Sequence, residues 1–160
     1  MSWEGTAGAG CAAPPERVWA VLLDGRRWSE WNHGVQWMTV EGPLCPGGVL
    51  TMKPKGVPQT AFRIEAVVPN RLLALALRVG PLATLRLRWN LAAHAGGTWL
   101  EASVTTSGPF AGLLLARAAR RIGDALPANL ERLAACAGAD RAGAAILQAD
   151  NASPSQWGKS

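Results

Sequence analysis

The segment Pro109 to Cys136, reading PFAGLLLARAARRIGDALPANLERLAAC, constrains the rest of the chain more than any other stretch. Gly108 closes the segment before it. Pro109 suits a first helical position, where a missing N–H costs nothing, and the run behind it is rich in Ala, Leu and Arg, all strong helix formers. The spacing predicts a helix of about 25 residues. At about 100° per residue, Arg117, Arg120, Arg121, Asp124, Glu131 and Arg132 share an arc of about 120°. Ala111, Leu115, Ala118, Ala119, Ile122, Leu126, Leu130, Leu133 and Cys136 fill the broad opposite arc. Ordering costs about 1 to 2 kcal/mol per residue, and only burial at about 1.5 to 3 kcal/mol per large apolar side chain offsets it. Such a helix needs a wide apolar surface to lie on. Pro127 removes a bond to the carbonyl of Gly123, so a bend is expected between them. The first turn is apolar nearly all round, with Phe110, Leu113 and Leu114 in the sector that later turns fill with charge. Contact with neighbouring loops, a lip at a ligand entrance and a membrane-touching tip are the three readings of that turn.

The surface comes from the middle of the chain. From Val35 onward, VQWMTVE, GVLTMKP, TAFRIEAVVP, RLLALALRV, ATLRLRWNLAAH and GTWLEASVTT read as six strands separated by Gly- and Pro-containing breaks. In the later strands the period is two. Phe62, Ile64, Ala66 and Val68 oppose Arg63 and Glu65; Leu85, Leu87, Trp89 and Leu91 oppose Arg86, Arg88 and Asn90; Leu100, Ala102 and Val104 oppose Glu101, Ser103 and Thr105. One greasy and one charged face are what a half-solvated antiparallel sheet requires. Arg86 and Arg88 are placed to pair across strands with Glu65 or Glu101.

Ahead of these strands, Ser2 to Ala13 supports a short first strand held by Trp3. Pro14, Pro15 and Glu16 then start a helix whose Val18, Trp19, Leu22 and Leu23 face the core. Asp24-Gly25 breaks it, Trp28 and Trp31 give a second short helix its apolar side, and His33-Gly34 ends that one. Beyond Cys136 periodicity fades. One domain over residues 1–137 and a disordered tail over 138–160 are expected.

Composition narrows the function classes. With 160 residues, 49% of them hydrophobic, the chain can bury one good core. No run of 18 apolar residues occurs and the N-terminus lacks an export pattern, so a soluble, cytoplasmic protein without an integral membrane segment is expected. Cys11, Cys45 and Cys136 are odd in number and far apart, which argues against a metal site or a disulfide framework. The net charge of +5 comes from 16 basic residues spread along the chain, all but three of them Arg, rather than from a patch; no nucleic-acid partner is expected.

The wording PPERVWAVLLDGRRWSEW, then PGGVLTMKP, FRIEAVVPNRLLAL, GGTWLEASV and PFAGLLLARAARRIGDALPANLERL resembles the START-like helix-grip (SRPBCC) superfamily, in its polyketide cyclase/dehydrase branch, over residues 12–136. The most specific piece is PERVWAVLLD with WSEW. The resemblance implies an α+β helix-grip fold: a seven-stranded antiparallel sheet around a long C-terminal helix, with two short helices between strands 1 and 2. It also implies a pocket for lipids, polyketides or other apolar molecules. It does not imply one activity, because members of that superfamily include cyclases, ligand carriers and interaction modules.

A sheet curling about one helix has more concave apolar area than the helix fills, so a cavity between them is expected. Its candidate lining is Trp31, Met38, Met52, Phe62, Leu75, Leu77, Leu87, Trp89, Leu100, Val104, Phe110, Leu115 and Ile122; ordinary core packing is the competing reading for each. A cyclase would need a general acid or base, or donors for an enolate, inside that cavity. The chain has no Tyr and two histidines, and His33 and Asn90 are the candidate polar groups; no catalytic set is recognisable and no cofactor is expected. Three readings follow: binding of an apolar small molecule, a polyketide cyclase- or dehydratase-like enzyme, or an interaction module. The last would use peripheral membrane or protein contact through Phe110, Leu113 and Leu114, with Arg117, Arg120 and Arg121 behind them. Oligomeric state is not readable from these residues.

Overall fold

Each alternating run becomes a strand within a residue or two of its expected ends. The computed structural model describes the backbone of residues 2–157 and the side chains of residues 2–139. The strands are β1 (Trp3–Cys11), β2 (Val35–Glu41), β3 (Val49–Pro54), β4 (Thr60–Val68), β5 (Leu72–Val79), β6 (Ala83–His94) and β7 (Gly97–Ser107). They form one seven-stranded sheet in the order β1-β7-β6-β5-β4-β3-β2, antiparallel throughout. Every consecutive pair after β2 is a hairpin, and only β1 crosses to the far edge, where it pairs with β7. The architecture is an α+β helix grip. The inner face carries Leu85, Leu87, Trp89 and Leu91 of β6 and Leu100, Ala102 and Val104 of β7, all buried. On the outer face Arg86 Nε donates to Glu65 Oε1 at 2.8 Å. Both side chains are partly solvated, so this pair adds little to stability.

Between β1 and β2 lie α1 (Pro15–Leu23), a 3-10 turn (Gly25–Arg27) and α2 (Trp28–Trp31). Val18, Trp19 and Leu22 are buried as the spacing predicts. Gly25 sits where only a glycine fits: a Cβ there would lie 1.6 Å from the carbonyl oxygen of Met38 on β2. That close approach holds the tryptophan-bearing segment against the sheet edge.

Two local expectations are corrected. The alternation of β4 slips at a bulge between Ile64 and Ala66, so Val67 packs against the core while Val68 is exposed, the reverse of the simple two-residue period. The long helix is also interrupted early. Its first turn is a separate α3 (Ala111–Leu114), Leu115 leaves helical geometry at φ −121° and ψ −7°, and α4 (Ala116–Trp157) then continues through Pro127 as one helix. The backbone of α4 runs to Trp157, and residues 158–160 lie outside the described residues.

The helix does not lie over the middle of the sheet. It packs mainly on β1 and β7 and against α1 and α2. The indole of Trp3 reaches across Gly5 to α4, where a Cβ on Gly123 would lie 2.6 Å from Trp3 Cη2. Ala119, Leu126, Leu130, Leu133 and Ala137 are the buried stripe of the helix. The inner face of β3 to β6 is thereby left largely uncovered by helix.

Candidate functional site

That uncovered face bounds a cavity of about 720 Å³ between the sheet and α4. Met52, Phe62, Leu77, Leu85, Leu87 and Trp89 form its sheet side. Helix α4 supplies Ile122, Ala125, Leu126 and Leu130, and Trp28 and Trp31 close the end next to α2. The two-residue period of the strands puts every second side chain into this space, and the small Ala118 and Ala125 of the helix keep it open.

Of the residues expected there, Trp31, Met52, Phe62, Leu77, Leu87, Trp89 and Ile122 line the cavity. Met38, Leu75, Leu100, Val104 and Leu115 are instead packed in solid core. Leu100 and Val104 stand on β7, which the helix covers, and Met38 lies against the 3-10 turn. Phe110 is exposed at the tip beside α3. Neither polar candidate faces the cavity: His33 is exposed in the loop before β2, and Asn90 alternates with Trp89 and so lies on the outer face, in a shallow groove with Glu4, Trp99 and Glu101.

The polar groups at the cavity are others. Asn32 follows α2, Lys55, Thr60 and Ser103 stand on the sheet side, and Arg121, Asp124 and Asn129 lie on α4. Arg121 and Asp124 are solvent-exposed, whereas Asn129 is buried. Asn129 is not among the residues expected from sequence; the signal that would have found it is a lone polar residue beside Leu126, Leu130 and Leu133 on the apolar arc. Arg132 Nη2 donates to Asn129 Oδ1 at 2.6 Å and Arg132 Nε donates to the Trp31 carbonyl at 3.0 Å, which ties α4 to α2 beside the cavity. Trp28 stacks obliquely on Trp31, with ring centroids 4.8 Å apart, and meets Trp89 edge-on at 5.7 Å. This aromatic end is held by Trp28 Nε1, which donates to the Leu22 carbonyl at 2.7 Å. Among the described residues no group of three His, Cys, Asp or Glu side chains is placed to hold a metal ion.

The open end of the sheet carries the β3–β4 turn, the β5–β6 turn, the link from β7 to α3 and the start of β2. Lys55 N donates to Gly34 O at 2.9 Å and Phe110 N to Leu82 O at 3.0 Å, knitting these loops together. Val57, Val79, Leu82, Phe110, Leu113 and Leu114 are all exposed there.

A family model described as polyketide cyclase / dehydrase and lipid transport matches residues 6–138. No curated protein matches the sequence. Among solved structures, the Zhui aromatase/cyclase from Streptomyces sp. R1128 is similar with a TM-score of 0.64 at 16% identity, covering 86% of this chain and 94% of that one. Protein MLL2253 from Mesorhizobium loti has a TM-score of 0.64 at 19% identity, covering 87% of this chain and 98% of its own. The protein Ara h 8.0201 has a TM-score of 0.63 at 14% identity, with 86% and 98% covered. At these identities the structural likeness is one of fold.

Proposed function

Because this chain belongs to the polyketide cyclase/dehydrase and lipid transport family, we propose that it binds one apolar small molecule, aromatic or polyketide-like in shape, in the cavity between α4 and the inner face of β3 to β6. The observation that carries this reading is the cavity itself. Its volume of about 720 Å³ falls within the range of about 300 to 1,000 Å³ typical of small-molecule sites. Its wall is aliphatic and aromatic, with a Met that adapts to irregular shapes and three tryptophans, and its few polar groups give orientation rather than bulk affinity. Native mass spectrometry of freshly purified protein, followed by solvent extraction, tests it. A co-purifying apolar molecule, or single-site binding of an added apolar fluorescent probe, supports the reading; no carried molecule and no probe binding at any concentration sinks it.

A second reading is a cyclase- or dehydratase-like activity on a bound polyketide chain. Arg121 and Asp124, one turn apart at the edge of the cavity, favour it, since such a reaction requires a proton acceptor and a group that stabilises an enolate. Turnover of a poly-β-ketone thioester that is lost in Asp124→Asn, with probe binding retained, would support that chemistry.

A further reading concerns the partner at the opening. The exposed Val57, Val79, Leu82, Phe110, Leu113 and Leu114 are flanked by Lys55, Arg78, Arg117, Arg120 and Arg121, also exposed or at the rim. Apolar side chains ringed by cations suit the surface of an anionic bilayer, so peripheral membrane contact would set the mouth of the cavity against lipid. Among the described residues no helix is long and apolar enough to cross a membrane.

A further inference from the structure

Asn129 is 7% exposed and, among the described residues, is the buried polar side chain that lines the cavity; Thr51, Thr98 and Thr106 are buried elsewhere. Its orientation follows from chemistry. A guanidinium only donates, so the atom 2.6 Å from Arg132 Nη2 must be the amide oxygen, because the alternative would set N–H against N–H. Arg132 is itself held by its second bond, from Nε to the Trp31 carbonyl. The amide cannot turn over without losing this brace.

The oxygen being occupied, the Nδ2 group remains. It donates to nothing among the described residues, yet it is not one of the side-chain atoms sealed from all surface without a partner; Trp31 Nε1 is the only one of those. Its open surface is the cavity that the residue lines. Leu126, Leu130 and the tryptophans that line the cavity with it carry no side-chain acceptor, while Asn32, Thr60, Ser103 and Asp124 of the same lining do.

We propose that Asn129 is a specificity-determining residue, donating a hydrogen bond from Nδ2 to an acceptor oxygen of the bound molecule, with Arg132 as its positioning residue. This rests on the ligand-binding reading above and narrows it. The molecule that fits is apolar and carries a carbonyl-type oxygen, ketone, quinone or ester, on the part that reaches Asn129. A plain hydrocarbon would strand the buried donor against the ligand.

Two dyes of one skeleton test this. Prodan is a naphthalene ketone whose emission moves to the red when its carbonyl accepts a hydrogen bond, and dimethylaminonaphthalene is the parent without the ketone. The wild type should bind prodan about tenfold more tightly than the parent, with red-shifted emission from the bound dye. Asn129→Asp keeps an oxygen for Arg132 but presents carboxylate to the cavity, and Asn129→Leu removes the donor at similar size. Both should bind the two dyes about equally, with prodan emission moved to the blue. A preference for prodan that survives in both variants, or no preference in the wild type, overturns the proposal while leaving the cavity reading intact. Failure of the wild type to bind either dye overturns the cavity reading and this proposal with it.

Discussion

Trp28 and Trp31 stack obliquely with ring centroids 4.8 Å apart and are both fully buried, yet Trp28 Nε1 donates to Leu22 O and Trp31 Nε1 meets no acceptor among the described residues. The pair is a matched comparison. Trp→Phe removes the same volume at either position, but at Trp28 it also strands the Leu22 carbonyl at the end of α1. A buried polar group deprived of its partner costs about 1 to 3 kcal/mol, and an N–H that was never satisfied costs nothing to delete. Trp28→Phe should therefore destabilise by about 1 to 2 kcal/mol more than Trp31→Phe in urea denaturation. Equal losses would mean that the Trp28 bond contributes no net stability.

Gly25 shows how backbone proximity rather than side-chain chemistry positions the site. A Cβ there would fall 1.6 Å from the Met38 carbonyl oxygen, and neither atom belongs to a flexible side-chain end. Gly25→Ala must lift the segment carrying Trp28 and Trp31 off β2. The expected cost is about 3 kcal/mol or more, large for a single methyl group. Gly10→Ala on β1, where a new Cβ meets nothing within 4 Å, is the control and should change stability by about 0.5 kcal/mol or less. Thermal melts of the two variants decide it.

The strands and the long helix were legible because a two-residue period and a helical arc survive in sequence without any tertiary information. What was not legible depends on lateral placement. Leu87 and Leu100 read alike as inward-facing positions, but α4 lies over β1 and β7, so Leu100 becomes solid core while Leu87 faces open space. The bulge after Ile64 inserts one residue with no compositional mark, and so Val68 turned outward against its pattern. The break at Leu115 likewise carries no Gly or Pro to announce it. The turn at Gly123 and Pro127 has a reading the residues alone did not give: Gly123 makes room for the Trp3 indole. Asn90 shows the opposite failure, since its own strand period already placed it opposite Trp89 and away from the cavity.

Ala125 offers a way to fill the cavity without touching its sheet wall. It is half-buried on α4 and lines the open space beside Ile122 and Leu126. Ala125→Phe should project a ring into the volume an apolar ligand would occupy, where packing is not already tight. Affinity for an apolar probe should fall by about tenfold or more while the melting temperature holds or rises, because added apolar contact fills a void. A loss of stability together with binding would instead mean that Ala125 sits against core and that the open volume lies elsewhere.

Leu113 is 80% exposed, more than any other large apolar side chain among the described residues, at the end of the molecule where Arg117, Arg120 and Arg121 follow. Leu113→Asp removes an apolar anchor and adds an anion to a basic rim, and its exposure means the fold loses almost nothing. Co-sedimentation with vesicles of phosphatidylcholine alone, and of phosphatidylcholine with phosphatidylserine, reads the effect. Wild-type protein should favour the anionic vesicles, and added salt should weaken that preference because the arginines act through a screened field. Leu113→Asp should reduce binding to them by about tenfold, with probe binding in the cavity unchanged. If the variant binds vesicles as well as the wild type, this end is not a membrane surface. If the wild type is dimeric by analytical ultracentrifugation and the variant monomeric, the patch serves a second copy of the chain instead.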